Sequence, residues 1–368
     1  MKSQNLFPLT FAACAVISAN NVMAGGLENA RMPTSYLYGE SKNLLHVAVG
    51  YATGNVEGTA ADGSKTGNGA PELVVTDIGY RHNVNDKWAL GLRYNQPYTS
   101  KIKYKKGLYK GTEGEWDSQA LTGVVKYQID DNYGVYGGLS VVRTSVSKTK
   151  LNANLIQSPA PGVPGGYQTE AKTDYSPRYL LGVSYQIPEI GFLTTLTYQS
   201  EVNVDLKPRE EMFGEVSTKT VKVELPRALS WDFETAVAED KFIYGSVRWV
   251  QWSKFKIAPT LFKRNTGQNL LDYKDSVSYA FGYAQQLSEK FIGTVFFGYE
   301  KPEGGKLAAL APFDGYQSVG VGGSYNLGDL DVNAGVEYST GRNGTDDFGT
   351  KYKNIDAVGV KMSFDYHF

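Results

Sequence analysis

The chain has 368 residues, with 37 Lys and Arg against 38 Asp and Glu, 41 Gly, 26 Tyr, 16 Phe and one Cys. This near-neutral balance argues against nucleic acid as a partner, since a protein that neutralises many phosphates carries a clear excess of Lys and Arg. No window approaches the roughly 18 consecutive apolar residues of a membrane-spanning helix, whereas abundant aromatic residues and Gly favour many strands and turns.

The amino-terminal residues predict a secretory signal peptide. Lys2 supplies the positive charge, residues 6–18 form an apolar run, and residues 22–24 match a small-residue cleavage site. Residues 1–24 are therefore expected to be removed, which leaves a mature chain that starts at Gly25. A lipoprotein signal ending at Cys14 is the alternative, but apolar residues continue past Cys14, as they do inside a signal sequence.

The mature chain alternates apolar and polar residues in many short segments. The last of them, Val358 to Phe368, is apolar at nearly every second position and ends on an aromatic residue. This is the period of a strand with two unlike faces. A soluble sheet with one buried face would give the same pattern, so the decision depends on how often the pattern recurs.

The connections between these segments alternate in length. Six short polar turns alternate with seven much longer connections, which include residues 148–171, 203–217 and 256–274. Aromatic residues cluster beside the short turns, as in the girdle of outer-membrane barrels, whose short turns all lie at one end. The sequence therefore predicts an all-β fold, a transmembrane antiparallel β-barrel of 14 strands over residues 44–368, with residues 25–43 as a short plug segment.

The second face of the predicted strands is polar. If Leu90 and Leu92 face lipid, then Arg93 faces inward, and the same alternation places Arg81 and Arg248 inside as well. A closed barrel turns this face into a lumen of mixed charge, wider in a barrel of this size than side chains alone fill.

The sequence offers no catalytic or metal-binding constellation. His46, His82 and His367 lie on different predicted strands without a neighbouring Cys or carboxylate cluster, so neither zinc spacing nor a Cys–His nucleophile is indicated. Composition alone leaves a Ser–His–Asp hydrolase open, but no evident Ser and acid partner accompanies these His. We expect no catalytic residue, no metal, no cofactor and no enzymatic activity.

Several segments resemble the FadL family of outer-membrane long-chain fatty acid transporters. Residues 91–98 read GLRYNQPY, similar to the family's Tyr-x-x-Pro-aromatic strand, and Leu225-Pro226 leads to Trp231 and to WVQWS at residues 249–253. The terminal Phe368 matches outer-membrane barrels generally. The resemblance covers the whole predicted barrel, but the expected plug is much shorter than the family's, so the family's gating is not carried over.

The resemblance also implies a kink in the third strand, which makes a gap in the wall through which an apolar ligand leaves sideways. Pro97 supplies a physical means, because Pro lacks an N–H and removes a ladder hydrogen bond. The implied conduit residues are Asn95, Gln96, Pro97 and Tyr98. The alternative is that Pro97 marks the external end of the strand.

Two functions follow for comparison. The first is an outer-membrane channel for hydrophobic small molecules such as long-chain fatty acids, captured at external loops and released through the wall. Leu155, Ile156, Leu261 and Phe262 are candidates for an exposed apolar landing patch on those loops. Inward Arg81, Arg93 and Arg248 are candidates to bind a carboxylate, with salt bridges to inward acids as the alternative.

The second function is a general diffusion porin for polar solutes, favoured by the charged lumen and by the few apolar residues assigned to its surface. A loop-based adhesin or structural barrel is a third possibility. The expected location is the bacterial outer membrane. The expected partners are a hydrophobic ligand, outer-membrane lipid and lipopolysaccharide, without nucleic acid, and the chain is expected to be a monomer.

Overall fold

The computed structural model describes residues 27–29 and 34–368. Within these residues, 14 antiparallel strands close into one barrel, which confirms the predicted fold. The strands are β1 (Asn43–Asn55), β2 (Leu73–Asn83), β3 (Trp88–Asn95 and Thr99–Lys103), β4 (Glu113–Gln128), β5 (Tyr133–Leu151), β6 (Tyr167–Ile187), β7 (Phe192–Gln199 and Val202–Met212), β8 (Val221–Leu225 and Ala228–Ala238), β9 (Lys241–Val250), β10 (Ser276–Ser288), β11 (Phe291–Glu300), β12 (Tyr316–Asn326), β13 (Leu330–Gly341) and β14 (Asp356–His367). The predicted signal peptide lies outside the described residues.

Each barrel strand pairs with its neighbours in sequence, and β1 closes the barrel on β14. The closing ladder runs from Leu44 opposite His367 to Asn55 opposite Asp356. Tight turns lie at one end, which we term the short-turn end; at one of them the N–H of Val84 donates to the carbonyl of Trp88. The opposite end carries the long connections and is termed the long-loop end.

The fourth long connection is shorter than predicted. β7 continues to Met212, so most of the predicted loop at residues 203–217 is strand, paired with β6 and β8. Its apolar residues Val202, Val204 and Leu206 alternate with charged and polar ones, which is a strand pattern. The prediction was wrong because the polar half of this alternation resembles a loop.

Within residues 34–368, three barrel strands are interrupted. The interruptions fall at residues 96–98 in β3, 200–201 in β7 and 226–227 in β8. Pro97 and Pro226 account for two of them, because Pro has no N–H for the ladder. Pro97 lies within the strand and not at its end, since Thr99–Lys103 continues to pair with β4.

The inward and outward faces of each interrupted strand exchange at the interruption. In β7, Leu196 is exposed on the outer surface, whereas Val202, Val204 and Leu206 are buried inside. These positions are even numbers of residues apart and would share one face of a regular strand. The interruption therefore acts as a slip of one residue, which sends every later side chain to the other face.

The same exchange occurs in β8 and β3. In β8, Val223 and Leu225 are buried, whereas Leu229 and Trp231 are exposed. In β3, Leu92 is exposed before the interruption, and Tyr98 and Ile102 are buried after it. Toward the long-loop end, these strands thus turn their apolar side chains to the interior.

The long connections fold inward over the barrel. The connection between β9 and β10 contains a 3-10 helix (Trp252–Lys254), a hairpin of Lys256–Ile257 with Leu271–Asp272, and helix α1 (Thr260–Thr266). Glu210 of β7 fixes α1, since its carboxylate accepts the N–H groups of Thr260 and Leu261 at 2.9 Å each, donors that a helix start leaves unpaired. The remaining short elements are 3-10 helices Gly107–Tyr109 and Pro188–Ile190 and strands Gly58–Thr59, Glu215–Ser217, Gly344–Thr345 and Lys351–Tyr352.

A buried carboxylate ties two of these connections together. Asp346 Oδ2 accepts hydrogen bonds from Tyr109 Oη at 2.5 Å and from Tyr352 Oη at 3.2 Å. Burial raises the pKa of Asp346 above its ordinary value. The connections after β3 and β13 are therefore joined by a group that titrates.

Residues 34–42 lie inside the short-turn end. A 3-10 helix, Ser35–Tyr38, places Leu37 in a cluster with Val124, Leu180 and Leu193 on the inner wall. A Cβ at Gly91 would collide with Tyr36 Oη, so Gly is needed where this helix passes β3. None of the helices among the described residues is long and apolar enough to cross a membrane.

Candidate functional site

An apolar cavity of about 50 Å³ lies toward the long-loop end, between the barrel wall and the inward-folded connections. Trp116, Leu206 and Val221 line it from the wall, and Ile257 and Leu271 line it from the β9–β10 connection. Of the described residues around it, only Glu115 is charged, and Glu115 lies 3.5 Å from Lys101 Nζ. The cavity therefore favours an uncharged apolar occupant.

Aromatic rings join this cavity to the interruption of β3. Tyr98 is fully buried and meets Trp252 edge-on, with ring centroids 6.0 Å apart. Trp252 meets Phe255 at 5.6 Å, and Phe255 meets Trp116 of the cavity wall at 5.4 Å. Ser118 of β4 holds the backbone of Tyr98, because its Oγ accepts from Tyr98 N and donates to Tyr98 O. A chain of ring contacts thus connects Tyr98 to Trp116 of the cavity wall.

β2 and β3 separate in the wall beside Tyr98. Their ladder ends where Ile78 faces Tyr94, yet β2 continues to Leu73 in pairing with β1, and β3 resumes at Thr99 in pairing with β4. The wall therefore has a gap between β2 and β3. A space of about 90 Å³ adjoins it, lined by Leu73, Asn29 and Thr99 among others.

Two elements cover the gap. Gln96 Oε1 accepts the N–H of Thr76 at 2.8 Å, so a side chain takes the place of a ladder bond. Leu27–Asn29 bind the open edge of β3, since Thr99 N donates to Leu27 O at 3.1 Å and Asn29 N donates to Pro97 O at 2.9 Å. The predicted residues Gln96, Pro97 and Tyr98 thus surround this gap, and Asn95 is buried at the last paired position before the interruption of β3.

Arg248 is buried inside, as its predicted phase requires, and binds the amino-terminal segment. Its Nε and Nη2 donate to the two carboxylate oxygens of Glu28 at 2.9 and 2.6 Å, and Nη1 donates to Ser230 Oγ at 2.5 Å. Such a bidentate pair is strong and directional. Because Glu28 also forms a β-bridge with Tyr98, the pair anchors Leu27–Asn29 beside the gap.

Arg93 and Arg81 are also inside and bound by protein groups. Arg93 Nε and Nη2 donate to the carboxylate of Asp77 at 2.8 and 2.5 Å. Arg81 Nη1 donates to Tyr36 O at 3.1 Å and Nη2 to Ser41 O at 2.6 Å. A ligand carboxylate at Arg93 or Arg248 would therefore have to displace a carboxylate already present, whereas Arg81 is bound by neutral groups.

Two histidines have carboxylate partners that sequence inspection missed. His46 Nδ1 lies 2.6 Å from Asp365 Oδ1, and His367 Nε2 lies 3.1 Å from Asp331 Oδ2. The partners lie on adjacent strands, and β1 and β14 are adjacent only because the barrel closes. The described residues contain no group of three or more His, Cys, Asp or Glu placed to hold a metal ion.

The four loop residues expected on an exposed patch lie inside the structure instead. Ile156, Leu261 and Phe262 are buried in the core at the long-loop end, and Leu155 packs against that core partly buried. The expected exposure was wrong because the long connections pack on one another and on the wall. A role in ligand capture stays a prediction for these residues.

The closed barrel, with apolar residues on its outer surface and polar ones inside, is that of an outer-membrane β-barrel protein. Residues 33–367 match the family model described as outer membrane protein transport protein (OMPP1/FadL/TodX). The chain therefore belongs to the OMPP1/FadL/TodX family, as its resemblance to FadL indicated. Its members are outer-membrane channels for hydrophobic compounds, transporters and not enzymes.

Solved structures share the fold at low sequence identity. A FadL homologue of Pseudomonas aeruginosa has a TM-score of 0.75 and 13% identity, over 95% of this chain and 97% of that chain. The toluene transporter TodX of Pseudomonas putida has 0.65 and 12%, over 95% and 96%. The toluene transporter TbuX of Ralstonia pickettii has 0.65 and 13%, over 89% and 90%. No curated protein matches the sequence.

Proposed function

We propose that this channel takes up small uncharged hydrophobic compounds through its long-loop end, holds them in the apolar cavity and releases them sideways between β2 and β3. The observation that carries this proposal is the gap beside Tyr98, where β2 and β3 both continue but no longer pair. A closed ladder would give an apolar compound no route into the bilayer.

The charges around the cavity favour an uncharged compound over a fatty acid. Glu115 is the only charged residue among the described residues of the cavity lining, and it is paired with Lys101, so these residues offer a carboxylate no Lys or Arg partner. Arg81, Arg93 and Arg248 are each bound by protein groups. Two similar structures are named as toluene transporters, and the apolar lining of the cavity matches the chemistry of a monocyclic aromatic hydrocarbon. Long-chain fatty acids are the alternative.

The interior toward the short-turn end favours a sideways exit over a porin path. Leu37 packs on the inner wall, and Arg81 holds the backbone of the same segment. Residues 25–43, of which 27–29 and 34–43 are described, would thus act as the plug that blocks polar solutes. Capture by the β5–β6 and β9–β10 connections, where Ile156 and Phe262 lie, completes the proposed route.

Bridging the gap tests the exit. Leu73→Cys and Thr99→Cys place two thiols in the space at the gap, where dibromobimane can join them. Uptake of radiolabelled toluene by cells that carry the protein in their outer membrane should fall to background after bridging. A matched control joins Tyr198→Cys to Leu229→Cys, which face each other across an intact ladder, and should keep full uptake.

Two other solutes define the specificity. Oleate uptake and sucrose-driven swelling of proteoliposomes should both stay at the level of protein-free controls. Full toluene uptake after bridging the gap would refute the sideways exit. Oleate uptake would replace the proposed substrate class by fatty acids, and sucrose swelling would replace the whole proposal by a porin.

A further inference from the structure

The three interrupted strands meet at one side chain, Arg178 of β6. Its Nε donates to Ser200 O at the β7 interruption at 3.0 Å, and its Nη2 donates to Pro226 O at the β8 interruption at 3.3 Å. Its guanidinium carbon lies 5.7 Å from the ring centroid of Tyr98 at the β3 interruption. Each strand interruption within residues 34–368 thus has a residue in contact with this one buried guanidinium.

The chemistry of Arg suits this position. Pairing between β7 and β8 breaks off at Gln199 opposite Ala228 and resumes at Val202 opposite Leu225, so the carbonyls of Ser200 and Pro226 lie outside the paired stretches. A planar guanidinium with five donors can bond two carbonyls and lie against an aromatic ring at once, which a Lys ammonium on a flexible stem cannot reproduce.

Near Arg178, the segments of β7 and β8 toward the long-loop end are joined to the rest of the wall by an interrupted ladder. The ladder of β6 with β7 is interrupted between Lys172 opposite Lys207 and Leu180 opposite Gln199, where one main-chain bond remains, from Ser200 N to Tyr179 O at 2.9 Å. Side chains cross the rest of this stretch: Ser176 Oγ donates to Asn203 O at 2.7 Å, and Asp174 Oδ2 accepts from Asp205 N at 3.3 Å. The segments Val202–Met212 and Val221–Leu225 therefore have fewer main-chain bonds to the rest of the barrel than a continuous strand would have.

These same segments form one side of the cavity, through Leu206 and Val221. The cavity of about 50 Å³ is smaller than the roughly 150 Å³ of an apolar cavity known to bind benzene. An occupant must therefore push the cavity wall outward. At the interruptions, near Ser200 and Pro226, few interstrand main-chain hydrogen bonds resist that movement. Arg178 binds both residues.

We propose that Arg178 is a positioning residue that couples occupancy of the cavity to opening of the gap between β2 and β3. Outward movement of the β7 and β8 segments carries Ser200 O and Pro226 O, and with them the guanidinium, away from Tyr98. Tyr98 and the edge of β3 that holds Leu27–Asn29 are then free to shift. This inference rests on the proposed function, because it regulates the proposed exit.

The rate of bridging between Leu73→Cys and Thr99→Cys reports the state of the gap. Toluene should slow bridging by dibromobimane about fivefold, at the lower end of typical coupling between sites. Arg178→Met should remove this dependence on toluene. Arg178→Lys should remove it too, because Lys keeps the charge but cannot make both hydrogen bonds to the two carbonyls. Arg143→Met is the matched control, because Arg143 pairs with Asp117 on the outer surface, and it should keep the fivefold effect.

A second variant keeps the test valid if Arg178→Met does not fold. Tyr98→Leu leaves both carbonyl bonds of Arg178 but removes the ring, and it should also abolish the dependence on toluene. Equilibrium toluene binding, measured on each variant, separates lost coupling from lost binding. Heat-modified gel migration checks that each variant forms a barrel.

The outcomes separate the two proposals. The coupling is refuted if toluene slows bridging equally in the Arg178→Met variant and in the chain that keeps Arg178. It is also refuted if toluene does not slow bridging when Arg178 is present. If bridging leaves toluene uptake intact, the exit itself is wrong, whatever Arg178 does.

Discussion

The two halves of β7 use the same alternating sequence in opposite ways. Toward the short-turn end, Leu196 faces lipid and Thr195 faces the lumen, whereas beyond the interruption Leu206 faces the lumen and Asp205 faces outward. The interior changes with it, from the ion pair of Arg93 with Asp77 to an apolar cavity. A slip of one residue is thus sufficient to give a membrane barrel an apolar interior toward one end and a charged interior toward the other.

The largest expected effect concerns the charged half of the barrel interior, toward the short-turn end. Asp77→Asn leaves buried Arg93 without its counter-ion, and breaking a buried pair in this way costs about 3 to 5 kcal/mol of unfolding free energy. Urea unfolding in detergent micelles measures it. Glu115→Gln, which removes a partner of exposed Lys101 at the other end, should cost at most about 1 kcal/mol. Equal losses would show that the two halves do not differ in this respect.

The apolar half of the interior, toward the long-loop end, should respond differently when a large side chain is replaced by a small one. Leu206→Ala should lower the unfolding free energy by roughly 3 kcal/mol, because a large-to-small change in a core leaves a hole. The same change enlarges the cavity, so equilibrium binding of toluene should tighten. Leu196→Ala, on the lipid face of the same strand, should leave toluene binding unchanged. Unchanged toluene binding by Leu206→Ala would argue that the cavity is not the ligand site.

A substitution at the boundary between the two halves, where β3 is interrupted, should lower the unfolding free energy by a smaller amount. Gln96→Ala removes the acceptor for the N–H of Thr76 and should cost about 1 kcal/mol, the net value of one hydrogen bond. Hydrogen exchange at the Thr76 amide should become faster. Gln119→Ala, on the paired strand β4, should leave exchange at Thr76 unchanged, and unchanged exchange in Gln96→Ala would mean that Gln96 does not close the gap.

The smallest effect concerns the connections above the apolar half, where Asp346 is buried. Its pKa is raised by burial, so the stability it contributes is present below its ordinary pKa of about 3.9 and is lost as pH rises through the raised value. Protection against hydrogen exchange at the Tyr109 and Tyr352 amides, after correction for the pH dependence of intrinsic exchange, should therefore be greater at pH 4 than at pH 7. Asp346→Asn should weaken this dependence, and an unchanged dependence would assign it to other carboxylates.

Sequence alternation was sufficient for the barrel but not for its lining. The 14 strands and the inward Arg side chains follow from the period of two and the alternating connection lengths. The apolar cavity does not, because continuing that period through residue 200 places Val202 and Leu206 on the lipid face. The sequence moreover predicts a loop over residues 203–217, so Leu206 is absent from the predicted lumen, which looks largely polar and keeps a porin as the alternative.

Contacts between distant parts of the chain were also out of reach. Asp365 meets His46 only when β14 closes on β1. The contacts of Arg178 have no local signal, since its partners Ser200, Pro226 and Tyr98 become neighbours only through the barrel. Interruptions were foreseeable at Pro97 and Pro226, whose missing N–H is a property of the residue itself, but Ser200 carries no such mark.

The placement of an interruption along a strand sets the depth of the cavity. Moving the one-residue slip toward the short-turn end would transfer further lipid-facing side chains, such as Leu196, to the interior without changing a single residue type, and moving it the other way would return Val202 to the membrane. Relatives of this barrel could in this way acquire deeper or shallower apolar chambers by one insertion and one deletion in the same strand.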